Sequence, residues 1–200
     1  MLNFNKTHFR RWELAALLAL CLGLCICTWA QGRQRSISSS LVRLHVIAHS
    51  DSEAEQALKL RVRDAVLEYL APALAEVSTQ EEARSVIEGE LPGIRRAAAL
   101  VSEGREVTVT LSRESYPTRR YDGFTLPAGE YQSLRVILGR GQGRNWWCIV
   151  FPPVCLPASQ GDTVSQVMAP EDYALVSGEE GYELRFRAVE LWGELMEKLK

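Results

Sequence analysis

The chain has 200 residues, 24% of them charged and 46% hydrophobic. That balance excludes a disordered chain, a collagen-like fibre and a polytopic membrane protein. The net charge of −2 is unevenly spread: residues 1–35 hold five basic side chains against Glu13, and the 18 basic and 24 acidic groups of residues 36–200 leave that part at −6. A body of that sign does not neutralise phosphates, so nucleic acid is not an expected partner.

Lys6, His8, Arg10 and Arg11 precede an uncharged run of 17 residues, Leu14 to Ala30. As a helix the run is about 26 Å long. It just spans a bilayer core of about 30 Å and is slightly long for a cleaved signal, whose apolar region is roughly 7–15 residues. Cleavage and anchoring both remain open, and either one carries the rest of the chain out of the cytoplasm. Gln31 to Ser40 is a polar spacer without periodicity.

Leu41 to Ala48 alternates and predicts a strand, with Val42, Leu44, Val46 and Ala48 buried and Arg43 and His45 on the other side. Ser50-Asp51-Ser52 ends it, and Ser52 with Glu55 predicts a capping box for a helix running from about Glu53 to Leu70, closed by Pro72. Thr79 with Glu82 predicts a second capping box and a helix to about Glu88. Gly89, Pro92 and Gly93 interrupt the pattern, which resumes from Ile94 to Val101 and stops at Gly104. Val107 to Leu111 is a half-exposed strand, and Tyr116 to Gly129 is a loop with room for a short strand.

Leu134–Leu138 and Trp146–Phe151 predict a β-hairpin joined by the glycine-rich segment 139–145. The second strand is apolar on both faces, which predicts an interior strand with Trp146 and Trp147 in the core. Residues 157–181 are polar and loop-like, and Tyr182 to Lys200 is an amphipathic helix.

The expected architecture is α+β: a single domain with a mostly antiparallel sheet of about four strands and packed helices, preceded by an export or transmembrane helix. Residues 1–35 form the leader and spacer, 36–157 the main domain, and 158–200 a loop-like segment with the terminal helix. Cys21, Cys25 and Cys27 lie in the leader, which leaves Cys148 and Cys155 in the body. An even pair in an exported domain points to a disulfide. Closing the eight-residue loop around Pro152-Pro153 would contribute about 2.5 kcal/mol in the chain-entropy model. Two buried free thiols are the alternative, because a Pro-Pro turn also splays its flanks.

Motifs for chemistry mostly fail. His45 and His49 are four apart, but on a strand and its exit, where that spacing does not make a zinc pair. His49-Ser50-Asp51 holds three hydrolase residue types in a row, yet adjacent side chains do not form a relay. Ser50 and Asp51 fit turn and cap roles better. The glycines 139, 141 and 143 run into a strand rather than a helix N-terminus, so they are not a phosphate cradle. Arg140 and Arg144 at that loop are the candidate partner-binding residues, since a loop tip is exposed and its charges are not needed by the core. No metal, cofactor or small-molecule substrate is expected.

Several segments resemble the stage II sporulation protein R family of endospore-forming bacteria. They are Arg43 to Ala48 with Ser50-Asp51-Ser52; Leu58-Lys59-Leu60 with Val62 to Val66; Leu126 to Tyr131 with Leu134-Arg135; and Gly139, Gly141, Gly143, Asn145-Trp146-Trp147-Cys148, Phe151-Pro152-Pro153 and Cys155. His49 stands where the family pattern has Asn. The resemblance covers roughly residues 41–157. It implies a protein made in the forespore, exported into the space between forespore and mother cell, and not itself an enzyme. Its implied partner is a membrane-bound aspartic peptidase that processes the precursor of the sporulation factor sigma-E. The competing expectations are an envelope hydrolase acting through His49 or Asp51 and a cell-wall-binding module.

Overall fold

The structure, a computed structural model, describes residues 6–121, 124–153 and 162–177. The chain divides into two compact units, residues 1–36 and 37–200. In the first, helix α1 (Lys6–Ser38) begins, and Leu14, Leu17, Leu18, Leu20, Leu22, Leu24 and Ile26 are exposed along it. From Arg10 onward it is long and apolar enough to cross a membrane, as a signal sequence also is. The expected irregular spacer is helical through Ser38. Gln31, Gln34 and the arginines are good helix formers, and extending a helix already nucleated by the apolar run costs little.

The second unit is α+β. Its order is β1 (Val42–Ile47), α2 (Glu53–Leu74), α3 (Gln80–Val101), β2 (Val107–Tyr116), β3 (Arg119–Tyr121), β4 (Phe124–Leu126), β5 (Gly129–Leu138), β6 (Asn145–Phe151), α4 (Asp162–Val167) and α5 (Pro170–Ser177). Four strands form one mixed sheet in the order β2-β5-β1-β6, and β3-β4 is a separate hairpin. Two of the three pairings in the main sheet are antiparallel; β1 and β5 run parallel, with Leu44 opposite Leu134.

The topology corrects the expected hairpin. Strands β5 and β6 do not pair, because β1 lies between them. Strand β6 is at the edge of the sheet rather than inside it, and Trp146 is 36% exposed with the Arg63 guanidinium 4.5 Å from its ring centre. The two-faced apolar pattern of β6 has another cause. Cys148 and Val150 face the core under α2 and α3, while Ile149 and Trp147 face a second cluster.

The helices depart from expectation at their breakers. Helix α2 passes through Pro72 to Leu74, and α3 is unbroken across Gly89, Pro92 and Gly93. Pro92 forfeits one helical hydrogen bond, and tertiary packing outweighs that loss. Gly93 is where the two helices meet: a Cβ there would lie 1.8 Å from Tyr69 Oη, whose hydroxyl bonds Glu90 at 2.5 Å. The glycine serves close approach rather than termination. The Thr79–Glu82 capping box forms in full. At Ser52 only half forms: Ser52 Oγ accepts from Glu55 N, while the Glu55 carboxylate turns to Arg105 at 2.5 Å and ties α2 to the turn before β2.

The main core, between the sheet and the α2–α3 pair, contains Val42, Leu44, Val46, Val62, Val66, Ile87, Ile94, Leu134, Val136 and Cys148. The opposite face carries a second cluster with Leu41, Tyr116, Phe124, Leu126, Tyr131, Ile149, Val164, Met168 and Val176. The sequence predicts one buried face for β1, yet Arg43 is fully buried and His45 half-buried on the other. The segment expected to be a loop around residues 116–129 holds β3 and β4, and α4 and α5 occupy part of the segment expected to be polar and loop-like. The expected helix at 182–200 lies outside the described residues.

Candidate functional site

Two places gather the residues singled out from the sequence. The first is the glycine-rich crossover from β5 to β6, which passes over the end of β1. Gly143 N donates to Ala48 O at 2.9 Å and Gln142 N to His49 O at 3.3 Å. Arg140 N donates to His49 Nδ1 at 3.1 Å, and Arg144 N donates to Asp51 Oδ1 at 2.6 Å. From α2, Lys59 Nζ donates to Arg144 O at 3.0 Å and to Gln56 Oε1 at 2.6 Å. Lys59 is buried, and desolvation lowers its pKa below the usual lysine value.

His49 and Asp51 thus fasten a backbone segment, and Gln56 reaches Ser50 O at 2.9 Å. The arginine side chains of 140 and 144 are exposed, as is Asn145. The Arg144 guanidinium stands 3.7 Å from Asp51, an exposed pair worth little by itself. The glycines are explained by this seat: Gly143 packs directly on the Ser50 carbonyl.

The second place is on the sheet face away from α2 and α3, and it holds His45 and Trp147, with ring centres 5.6 Å apart. Around them is a network that the sequence did not single out. His45 Nδ1 donates to Glu114 Oε2 at 3.2 Å, Ser133 Oγ donates to the same oxygen at 2.6 Å, and Tyr116 Oη donates to Ser133 Oγ at 2.6 Å. Arg135 Nη1 lies 3.4 Å from Glu114 Oε1. The fully buried Arg43 guanidinium lies over the Tyr116 ring at 3.9 Å and within 4.9 Å of the Tyr131 ring centre, and it donates to Tyr121 Oη at 2.5 Å. Arg119 stacks on Trp147 at 3.8 Å. Burial raises the pKa of Tyr116, Tyr121 and Tyr131 above the usual tyrosine value, so all three stay protonated donors at neutral pH.

His, Glu and Ser side chains meet here, but not as a nucleophile relay. Ser133 is fully buried and spends its proton on Glu114 rather than facing His45. The signal that could have revealed this cluster is alternation. Arg43 and His45 on β1, Tyr131, Ser133 and Arg135 on β5, and Glu114 and Tyr116 on β2 share one parity each, opposite to the apolar one.

Pro152 is buried and Pro153 exposed at the end of β6. Cys148 is buried and is not among the free thiols of the described residues, which are Cys21, Cys25 and Cys27. Cys155 lies outside the described residues.

The family model described as "Stage II sporulation protein R (spore_II_R)" matches residues 38–160. The stage II sporulation protein R of Bacillus subtilis (strain 168) is 38% identical over 135 residues, 65% of this chain and 60% of that protein. The chain thus spans somewhat under two thirds of that relative's length. No solved structure matches the chain at a significant level. The match spans β1 to the end of β6, including both the crossover and the His45–Trp147 cluster, and the chain belongs to the stage II sporulation protein R family.

Proposed function

We propose that the chain is an exported sporulation signalling protein. In this reading it stimulates a membrane-bound aspartic peptidase that processes the precursor of sigma-E, and it has no hydrolytic activity of its own. The observation that carries the reading is the family match over residues 38–160. Helix α1 supports export into the space between forespore and mother cell, by a cleaved signal or a single anchor. An envelope hydrolase acting through His49 or Asp51 is disfavoured, since both side chains accept from backbone N–H groups of the crossover. Residues 36–157 act as the working domain, and residues 158–200 follow it.

The exposed Arg140 and Arg144 are the proposed contact residues at the crossover. Co-expression of the chain with the peptidase and the precursor tests the reading through precursor cleavage. Cleavage is expected only when all three are present. Cleavage by the purified chain alone, or no dependence on it, would overturn the proposal. Replacing both arginines by Ala is expected to leave the melting temperature nearly unchanged, since exposed charges contribute about 0–1 kcal/mol, and to lower cleavage. Full cleavage would remove the crossover from the contact face.

A Cys148–Cys155 disulfide belongs to the same reading. Oxidising export compartments favour it, and Cys148 sits on the edge strand four residues before Pro152. Mass spectrometry of the exported protein without reductant should find the body lighter by two hydrogens. Alkylation of Cys148 and Cys155 themselves in the denatured, unreduced protein, located by peptide mapping, would refute the bond.

A further inference from the structure

The sheet face around Arg43 holds donors without acceptors. Seven buried side-chain polar atoms among the described residues lack a hydrogen-bond partner, and five of them are nitrogens of this one cluster: Arg43 Nε and Nη1, His45 Nε2, Arg119 Nε and Arg135 Nε. Here the unmet groups share one place, and the four arginine nitrogens among them are obligate donors.

The charges tell the same story. Among the described residues of the network, Arg43, Arg119 and Arg135 bring three guanidiniums, and Glu114 brings one carboxylate. That carboxylate is already committed, with Oε2 taken by His45 and Ser133 and Oε1 facing Arg135. Arg43 is fully buried and its polar partner is the neutral Tyr121 hydroxyl. Burying a guanidinium without an anion is unfavourable, and the faces of Tyr116 and Tyr131 compensate in part. This excess of positive charge sits in a body whose overall balance is −6.

We propose that the cluster is a binding site for a carboxylate of a partner polypeptide. The carboxylate enters beside Arg135, whose side chain is 39% exposed, with the partly buried His45, Arg119 and Trp147 around it and Arg43 below. A carboxylate fits better than a phosphate for two reasons. Glu114 remains in the wall and repels a dianion, and the planar guanidiniums match a planar two-oxygen group. Trp147 and Tyr116 give the stem of an acidic residue an apolar wall. The inference deepens the activation reading, on which the identity of the partner as the peptidase rests.

The full chain in lipid nanodiscs, titrated with short peptides, tests the site without the peptidase. The probes are Ac-Gly-Glu-Gly-NH2 for a side-chain carboxylate, Ac-Gly-Gly-Gly-OH for a terminal one, and Ac-Gly-Gln-Gly-NH2 as the neutral control. The readout is the arginine Nε–H signals in 1H–15N spectra. Saturable shifts at Arg119 and Arg135 are expected with one or both acidic peptides and not with the Gln peptide. Arg135→Gln and, separately, Arg119→Gln should weaken binding roughly tenfold or more, the scale of a lost charged hydrogen bond. Arg61→Gln, on the exposed α2 pair with Glu103, should not. No saturable shift, an equal shift with the Gln peptide, or a shift with inorganic phosphate alone would overturn the site.

The co-expression assay then separates the two proposals. Variants of Arg119 or Arg135 that lose peptide binding but keep full precursor cleavage would overturn the assignment of the guest to the peptidase. A wild-type chain that binds the acidic peptide but never stimulates cleavage would sink the activation reading while supporting the site.

Discussion

Replacing Leu44 by Ala is expected to cost the body about 2–5 kcal/mol, the range for deleting a large aliphatic side chain from a rigid core. Leu44 is fully buried in β1, one of the two strands with neighbours on both sides. It faces the core under α2 and α3, opposite Leu134 on β5 and Cys148 on β6. The cavity has little room to collapse because hydrogen-bonded strands hold both flanks, which favours the upper part of the range. Trp147→Ala should cost less than its size suggests, because that ring is half-buried on an edge strand. Urea unfolding of the two variants measures the order, and a Leu44→Ala loss below that of Trp147→Ala would contradict the central place of β1.

Gly143→Ala is expected to destabilise by about 1–3 kcal/mol, the usual cost of forcing atoms into an occupied space. The added Cβ would lie 2.2 Å from the Ser50 carbonyl oxygen, 2.6 Å from its carbon and 2.9 Å from the Ala48 Cβ. Two of those atoms are backbone, so no side-chain rotation relieves the clash. The crossover must lift, which breaks the Gly143 N–Ala48 O bond and draws Arg144 N from Asp51. Loss of amide exchange protection at Gln142, Gly143 and Arg144 would report the lift. Gly89→Ala is the control: nothing lies within 4 Å of its Cβ position, and a mid-helix glycine replaced by Ala gains roughly 0.5–1 kcal/mol. Unchanged protection in Gly143→Ala would remove the fastening role from the crossover.

What the sequence displays and what it hides divide along a physical line. Local patterns carried the strand at Val42–Ile47, the start of α2, and the Thr79–Glu82 cap, because caps and alternation depend on neighbours within a few residues. The insertion of β1 between β5 and β6 depends on pairing partners far along the chain, and two adjacent strands with a glycine loop imitate a hairpin locally. Pro92 and Gly93 look like breakers until Tyr69 is placed against them. The site behaves the same way. Asp51 was legible as a turn residue, but its acceptor role toward Arg144 N needs the crossover overhead. Arg43 looked solvated because a lone arginine opposite an apolar face is normally so; only the rings of Tyr116 and Tyr131, contributed by β2 and β5, bury it.

The parallel pairing of β1 with β5 also governs when the chain can fold. Leu44 meets Leu134, a partner 90 residues later, and β6 comes later still. Closing so long a loop must precede the contacts that reward it, and folds dominated by such distant pairings form slowly. The first strand therefore waits, unpaired, until nearly the whole sheet-forming sequence exists. Under the proposed export through a narrow channel, that delay is useful. The stretch that emerges first has no local partner with which to lock, so the polypeptide stays threadable until translocation has delivered β5 and β6 to the far side.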